Sequence, residues 1–429
     1  MSTRAGGGPE VSTDRSTTVP GGVRGVGGAG RAAPGGSSRG ADARAWAGAP
    51  WRERELGSLP VVGALVVLAL VFQAFNSNFL SSDNLVNLTL QSATTGVITL
   101  GVVLVLLVGQ IDLSVGAVSG LAAAVVAVGF VQEGWPLWAA VLAAVALGAA
   151  VGAGYGWLFT RLGVPSFVIT LAGLLVCVGL QVRVLGATGS INLPYESWLV
   201  RFSQQVFLAP ATAYALAALV AVGYGVTRWT GRRRRLAAEL SAPGLVSIAV
   251  RTGLLAAALL LVTWYLNQNR GIGAMFAFFL LLVGMTDLLL RRTRWGRSVR
   301  AVGSNVVSAR RAGYAVRRVY MSCFMACTAL AALGGVLSAG RLAAANQGTG
   351  GSDTNLTAIA AAVIGGTSLF GGRGSAWSAV LGAFVIHSIS SGLTLLNLDA
   401  SIRYIVTGVV LALAVTIDAL SRRRATAVR

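Results

Sequence analysis

The chain has 429 residues, 55% of them hydrophobic and only 11% charged, with a mean hydropathy of +0.73. That is too apolar for a soluble domain of this size, so the solvent implied is a bilayer. A formal charge of +20 would fit nucleic acid, but every one of the 34 basic residues is arginine and their positions follow the loops of a membrane protein, which excludes a nucleic-acid partner. Without lysine the chain can build neither a P-loop nor a Schiff base. Cys177, Cys323 and Cys327 lie inside apolar runs and His387 is the only histidine, so no metal, haem or disulfide framework is expected, and no cofactor.

Residues 1–57 are rich in Gly, Ala, Ser and Pro without periodicity, which predicts a disordered cytoplasmic tail. The tail is too long for the n-region of a signal peptide, and no small-residue cleavage pattern follows it. Leu59 to Phe75 is therefore read as a first membrane helix. Further apolar runs of bilayer-spanning length begin near Asn84, Ser114, Pro136, Pro165, Val206, Gly244, Ile272, Val319, Thr354, Ala376 and Ser401. Residues 58–429 are thus expected to form one all-α polytopic domain of about twelve transmembrane helices.

With the N-terminus inside and strict alternation, 28 of the 34 arginines fall on cytoplasmic segments, including five from Arg228 to Arg235 and nine from Arg291 to Arg318. Both termini are then cytoplasmic, and residues 228–243 and 291–318 are cytoplasmic loops. The proposed outer loops keep Arg183, Arg201, Arg270, Arg341 and Arg403. In the second loop, Ser304 can cap a short helix and Gly313 can end it. The bias toward Ala, Gly, Val and Arg points to a GC-rich bacterial genome, hence to a bacterial plasma (inner) membrane.

Two stretches interrupt their helices near the centre: Gly109 to Gly116, and Gly365 to Ser368 continuing through Gly371 to Ser375. Irregular backbone at membrane depth needs protein or a watery cavity around it. Similar short runs, Ser82 to Leu85 and Ser352 to Leu356, precede the two breaks and hint at an internal repeat. Asn84, Asn87, Gln91, Thr95 and Thr99 recur at steps of three and four and share one helix face. Such amides and hydroxyls suit a neutral polyol, or alternatively hydrogen bonds between helices. Gln110 precedes Asp112 and Ser114 in the first break, where the carboxylate and hydroxyl can cap the next helix or act in gating. His387, Ser391 and Thr394 share a face of the eleventh helix. Asp287 with Arg291, Asp399 with Arg403 and Asp418 with Arg422 are spaced for ion pairs.

The run Ile111-Asp112-Leu113-Ser114-Val115-Gly116 resembles the signature of the ribose and xylose type of ABC sugar permeases. Val164 to Gly173, Ala301 to Asn305, Ala361 to Leu369 and Tyr404 to Asp418 resemble that family in order and spacing, from about Leu59 to the end. The arginines at 228–235, the helix after them and Trp264 to Asn267 are similar to the D-xylose permeases in particular, which carry an extra helix pair. One departure is Ser390-Ser391 before Gly392, where the family has an asparagine. The resemblance implies a non-enzymatic transport subunit with three partners: a second permease copy in a homodimer, an extracytoplasmic sugar-binding protein and a separate ABC ATPase. It also implies that Gly303, Asn305, Ala309, Arg310 and Gly313 form the element that docks into the ATPase. On that reading Asn87, Gln91, Thr95, Gln110, Asp112, Ser114 and Ser391 line the sugar path. The rival is a secondary sugar transporter driven by an ion gradient, which would need carboxylates at midplane.

Overall fold

A computed structural model of the chain describes residues 59–399 and, beyond them, 401, 402, 404–410, 412, 413 and 416. The expected tail at 1–57 lies outside the described residues, as do Arg403, Asp418 and Arg422 with their expected ion pairs.

The first helices are α1 (Leu59–Phe75), α2 (Ser82–Leu107), α3 (Val115–Ala127), α4 (Leu137–Trp157) and α5 (Ser166–Leu185). Strand β1 (Ser190–Asn192) and α6 (Trp198–Gln204) follow, then α7 (Pro210–Ala237), α8 (Leu245–Leu266) and α9 (Ala274–Arg292). Two short helices, α10 (Arg294–Ser304) and α11 (Val306–Arg311), lead to α12 (Val316–Leu342), β2 (Ala344–Asn346), α13 (Ser352–Ile364) and α14 (Trp377–Leu395). The described residues of 401–416 are also helical.

Among the described residues, nine helices are long and apolar enough to cross a membrane, and Pro60–Phe75 and Asp353–Ile364 are shorter apolar helices. An all-α polytopic membrane fold is therefore what the chain adopts. The twelfth expected span begins at Ser401, where the description is incomplete. The sequence did not signal β1, β2 or α6. The strands pair antiparallel, with Ser190 opposite Asn346 and Asn192 opposite Ala344.

Burial separates a central layer from a peripheral one. The apolar window of α2 is 89% buried, whereas that of α8 is 0% buried, so α2 is packed all round and α8 lies at the periphery of the fold. Ser81 starts α2 by accepting the N–H of Asn84 at 3.3 Å. One close central crossing is α4 on α12. There Ala144, Gly148, Gly152 and Gly156 recur every fourth residue on the buried face. A methyl on Gly152 would lie 2.4 Å from the carbonyl oxygen of Phe324, so only glycine lets the two backbones approach this closely.

The ends of the bundle differ in charge. At one end Tyr265 donates to the carbonyl of Leu80 at 2.8 Å, Asn76 to Leu395 at 2.9 Å and the N–H of Leu208 to Ile272 at 2.9 Å. Arg183, Arg201, Arg270 and Arg341 belong to this end. At the other, Trp295 donates to Ser322 at 2.8 Å and the N–H of Gly372 to Leu107 at 3.0 Å. Arg161, Arg373 and the dense arginines of 291–318 lie here, with Arg232 to Arg235 on the last turns of α7, which continues as helix to Ala237. The partition of arginines read from sequence thus coincides with the two ends of the fold. The ion pair of Asp287 with Arg291 is present at 2.9 Å.

Candidate functional site

A cavity of about 520 Å³ opens at the arginine-poor end, between α2 and α14. From α2 it takes Asn84, Asn87, Leu90 and Gln91; from α14, Ser390, Ser391, Thr394 and Leu395. The helical period places the first set on one face, and the second set on the facing wall. Gln204, Arg270 and Arg341 complete the lining from three other elements. Ser391 donates to Asn84 Oδ1 at 2.9 Å, tying the two walls together. At the mouth, Arg270 donates to Asp83 at 2.8 Å and to Asn87 at 2.6 Å, and Asn269 also reaches Asp83 at 3.2 Å.

The expected stripe on α2 divides. Asn84, Asn87 and Gln91 face the cavity, with Ser391 opposite. Thr95, one turn deeper, is hydrogen-bonded to His387 Nε2 at 2.9 Å, and Thr99 is fully buried and donates to the carbonyl of Thr95 at 2.8 Å. His387 is accordingly a contact between α2 and α14. Gln110, Asp112 and Ser114 are not brought to this cavity. Gln110 sits at the opposite end of α2, its N–H bonded to the carbonyl of Val105 at 3.1 Å. Sequence reasoning missed Gln204, Arg270 and Arg341 as lining groups. Their one signal was that Arg270 and Arg341 stand where the charge rule removes arginines.

Asp112 and Ser114 are buried in the break before α3, at 1% and 0% exposure. Asp112 Oδ1 accepts both the N–H of Ser114 at 2.8 Å and its hydroxyl at 2.7 Å. The expected capping is not seen: both bonds of Asp112 Oδ1 go to Ser114, which precedes α3, and neither side chain accepts a free N–H of the helix's first turn. Thr170 Oγ1 accepts the N–H of Leu113 at 3.1 Å, and Asn355 on α13 donates to the Leu113 carbonyl. Neighbouring elements thus satisfy the irregular backbone. A carboxylate serving only as an acceptor is replaceable by an amide oxygen. Asp112→Asn is expected to keep transport within about threefold of wild type with an unchanged dependence on the ion gradient, as measured by solute uptake into vesicles.

At the arginine-rich end, α10 is capped by Thr293, which accepts the N–H of Gly296 at 3.1 Å, and buries Val299 and Val302. Asn305, rather than Ser304, caps α11, accepting the N–H of Ser308 at 2.9 Å, while Ser304 donates back to Arg300 at 2.8 Å. Gly313 ends the segment at φ 80°, as expected. Asn305, Val307, Arg310 and Gly313 are exposed and Ala309 is buried. Gly303 lies against both interrupted stretches. A methyl there would fall 1.8 Å from the Leu107 carbonyl oxygen and 2.9 Å from the N–H nitrogen of Gly372, and one on Gly371 would fall 2.8 Å from the backbone nitrogen of Gly109. Three backbone segments therefore meet with no side chain between them.

The family model for the permease component of branched-chain amino acid transport systems matches residues 84–415. The chain belongs to this permease family. It is 35% identical over 367 residues to the xylose transport system permease protein XylH of Escherichia coli K12, which is 85% of this chain and 92% of that relative. The ribose import permease protein RbsC of Escherichia coli K12 is 30% identical over 356 residues, 83% of this chain and 91% of the relative. The fructose import permease protein FrcC of Rhizobium meliloti is 28% identical over 367 residues, covering 85% and 86%. No solved structure matches. This permease is thus of the ribose and xylose type: a multi-pass transport subunit of the plasma membrane, not an enzyme. Membership of a family of ABC importer permeases implies an ATPase and a binding protein as partners.

Proposed function

We propose that this permease carries D-xylose inward across the bacterial plasma membrane, driven by ATP hydrolysis on its partner ATPase. Likeness to the xylose permease over most of both chains carries the choice of sugar. The cavity is chemically suited to it. Four amides and three hydroxyls line the walls, giving many weak, exchangeable partners for a polyol, and among the described residues no aromatic ring lines it. A path that must release its solute favours such contacts over a stacking platform. Asn87, Gln91 and Ser391 contact the sugar; Thr95, Gln110, Asp112 and Ser114 support the helices around it.

The arginine-rich end faces the cytoplasm, by the charge rule, and puts both termini inside. There α10 and α11 dock on the ATPase through the exposed Asn305, Arg310 and Gly313, and Gly303 passes the movement to both interrupted stretches. Residues 228–243 and 291–318 are cytoplasmic, residues 1–57 form a cytoplasmic tail, and two copies of the permease pair and couple to a separate ATPase. The gradient-driven rival is disfavoured by charge: Asp83, the carboxylate at the cavity mouth, is held by Arg270, and Asp112 lies elsewhere.

The deciding experiment loads vesicles containing permease and ATPase with ATP and supplies binding protein with labelled xylose, ribose or fructose. ATP-dependent accumulation of xylose is expected. Uptake of ribose or fructose alone overturns the choice of sugar, and uptake without the ATPase overturns the ATP-driven mechanism. In the same vesicles Gln91→Leu is expected to raise the KM for xylose about five- to tenfold with Vmax nearly unchanged, because one hydrogen bond to the bound sugar is lost.

A further inference from the structure

Arg341 is the charged group of the cavity that lacks a partner among the described residues. It stands in the last turn of α12, where an arginine can turn back onto the helix's free carbonyls. That option is taken. Gln204 Nε2 donates to the carbonyls of Gly340 at 3.2 Å and of Arg341 itself at 2.9 Å, and the N–H of Ala343 also reaches Gly340 at 3.3 Å. The guanidinium is left on the cavity wall, with Nε buried and without a hydrogen bond. Arg270, the other cation of the lining, contrasts with it: its charge is spent on Asp83 and Asn87.

Holding a guanidinium at a partly buried wall without a counter-ion is unfavourable, and the cost falls when a ligand supplies acceptors to its planar fork of donors. We propose that Arg341 contacts the solute, donating to a sugar hydroxyl, so that the permease itself discriminates between polyols, and that Gln204 is the positioning residue that frees it. This rests on the reading of the cavity as the sugar's path. A site with an unpaired buried donor rejects an analogue lacking the matching hydroxyl, because the donor then stays unsatisfied. Selection is in that case shared between the binding protein and the permease.

The test compares uptake of D-xylose and of each monodeoxy-D-xylose by wild-type, Arg341→Lys and Gln204→Met complexes, with one binding protein throughout. Its own preference cancels when ratios are compared between complexes. Lysine keeps the charge and loses the fork. For one analogue, the wild type is expected to discriminate about tenfold more strongly than Arg341→Lys, with the KM for xylose raised and that for the analogue unchanged. Gln204→Met shifts the same ratio in the same direction, since the guanidinium turns back to the freed carbonyls, and the double variant shifts it no further. A purely structural role would lower uptake of all the sugars alike. Identical ratios in every complex, at equal amounts of assembled permease, overturn the proposal. If Gln91→Leu still raises the KM, only the role of Arg341 falls; if neither substitution alters it, the cavity is not the path.

Discussion

Replacing Gly303 by valine is expected to cut ATP-driven uptake to a tenth or less of wild type, roughly, while the permease still inserts and binds its ATPase. The reason is geometric. Gly303 has no room for a Cβ, since the Leu107 carbonyl oxygen stands 1.8 Å from where it would be. A branched side chain must push α10 off the end of α2 and off the turn at Gly371 and Gly372, and overpacking of this kind costs about 1–3 kcal/mol. The N–H of Gly372 gives its hydrogen bond to that same carbonyl of Leu107 at 3.0 Å, so the displacement also strains the link between the two interrupted stretches. ATPase activity of the complex measured beside uptake separates the outcomes. Hydrolysis that continues without transport is the expected result, because Asn305 and Arg310, the proposed docking residues, are exposed and untouched. Wild-type uptake would show that this junction does not transmit movement.

Gln181→Met is expected to destabilise the arginine-poor end by about 1–3 kcal/mol, seen as a lower thermal midpoint of the purified permease. Gln181 is 2% exposed and its amide donates to the carbonyls of Asn346 at 2.9 Å, Gln347 at 3.4 Å and Thr349 at 2.9 Å. One side chain from α5 thereby ties down the turn that follows β2 and leads to α13. Methionine fills the volume but donates nothing, so the carbonyl of buried Thr349 loses this donor, while that of Asn346 keeps the N–H of Thr349 at 3.0 Å. An unchanged midpoint would mean that water replaces the amide there.

Much of the fold was legible in the chain because a bilayer imposes simple rules. Runs such as Leu245 to Leu266 are predominantly apolar and long enough to span, so length and composition alone define α8. The arginines mark the loops at one end, and the steps of three and four from Asn84 to Gln91 place three polar groups on one face. The family resemblance read from Ile111 to Gly116 and the later motifs was likewise local, and the match over residues 84–415 bears it out. Helix starts were read to within a few residues in most cases, Pro165 against Ser166 and Ala376 against Trp377.

What the sequence by itself determined was therefore the solvent, the all-α class with most of its spans, the distribution of charge between the ends and the permease family. Tertiary structure decided which polar residues share a space. Thr95 and Gln91 are one turn apart on the same face, yet His387 from α14 covers the first and leaves the second open. Gln204, Arg270 and Arg341 reach the cavity from segments far apart in the chain, and no local period can encode such a meeting. The same holds for Asp112. Its sequence position announced an intramembrane carboxylate, but only the packing of α5 and α13 around the break placed it away from the cavity. Periodicity records which face of a helix a residue occupies, whereas the neighbour against that face is chosen by close packing of all the helices together.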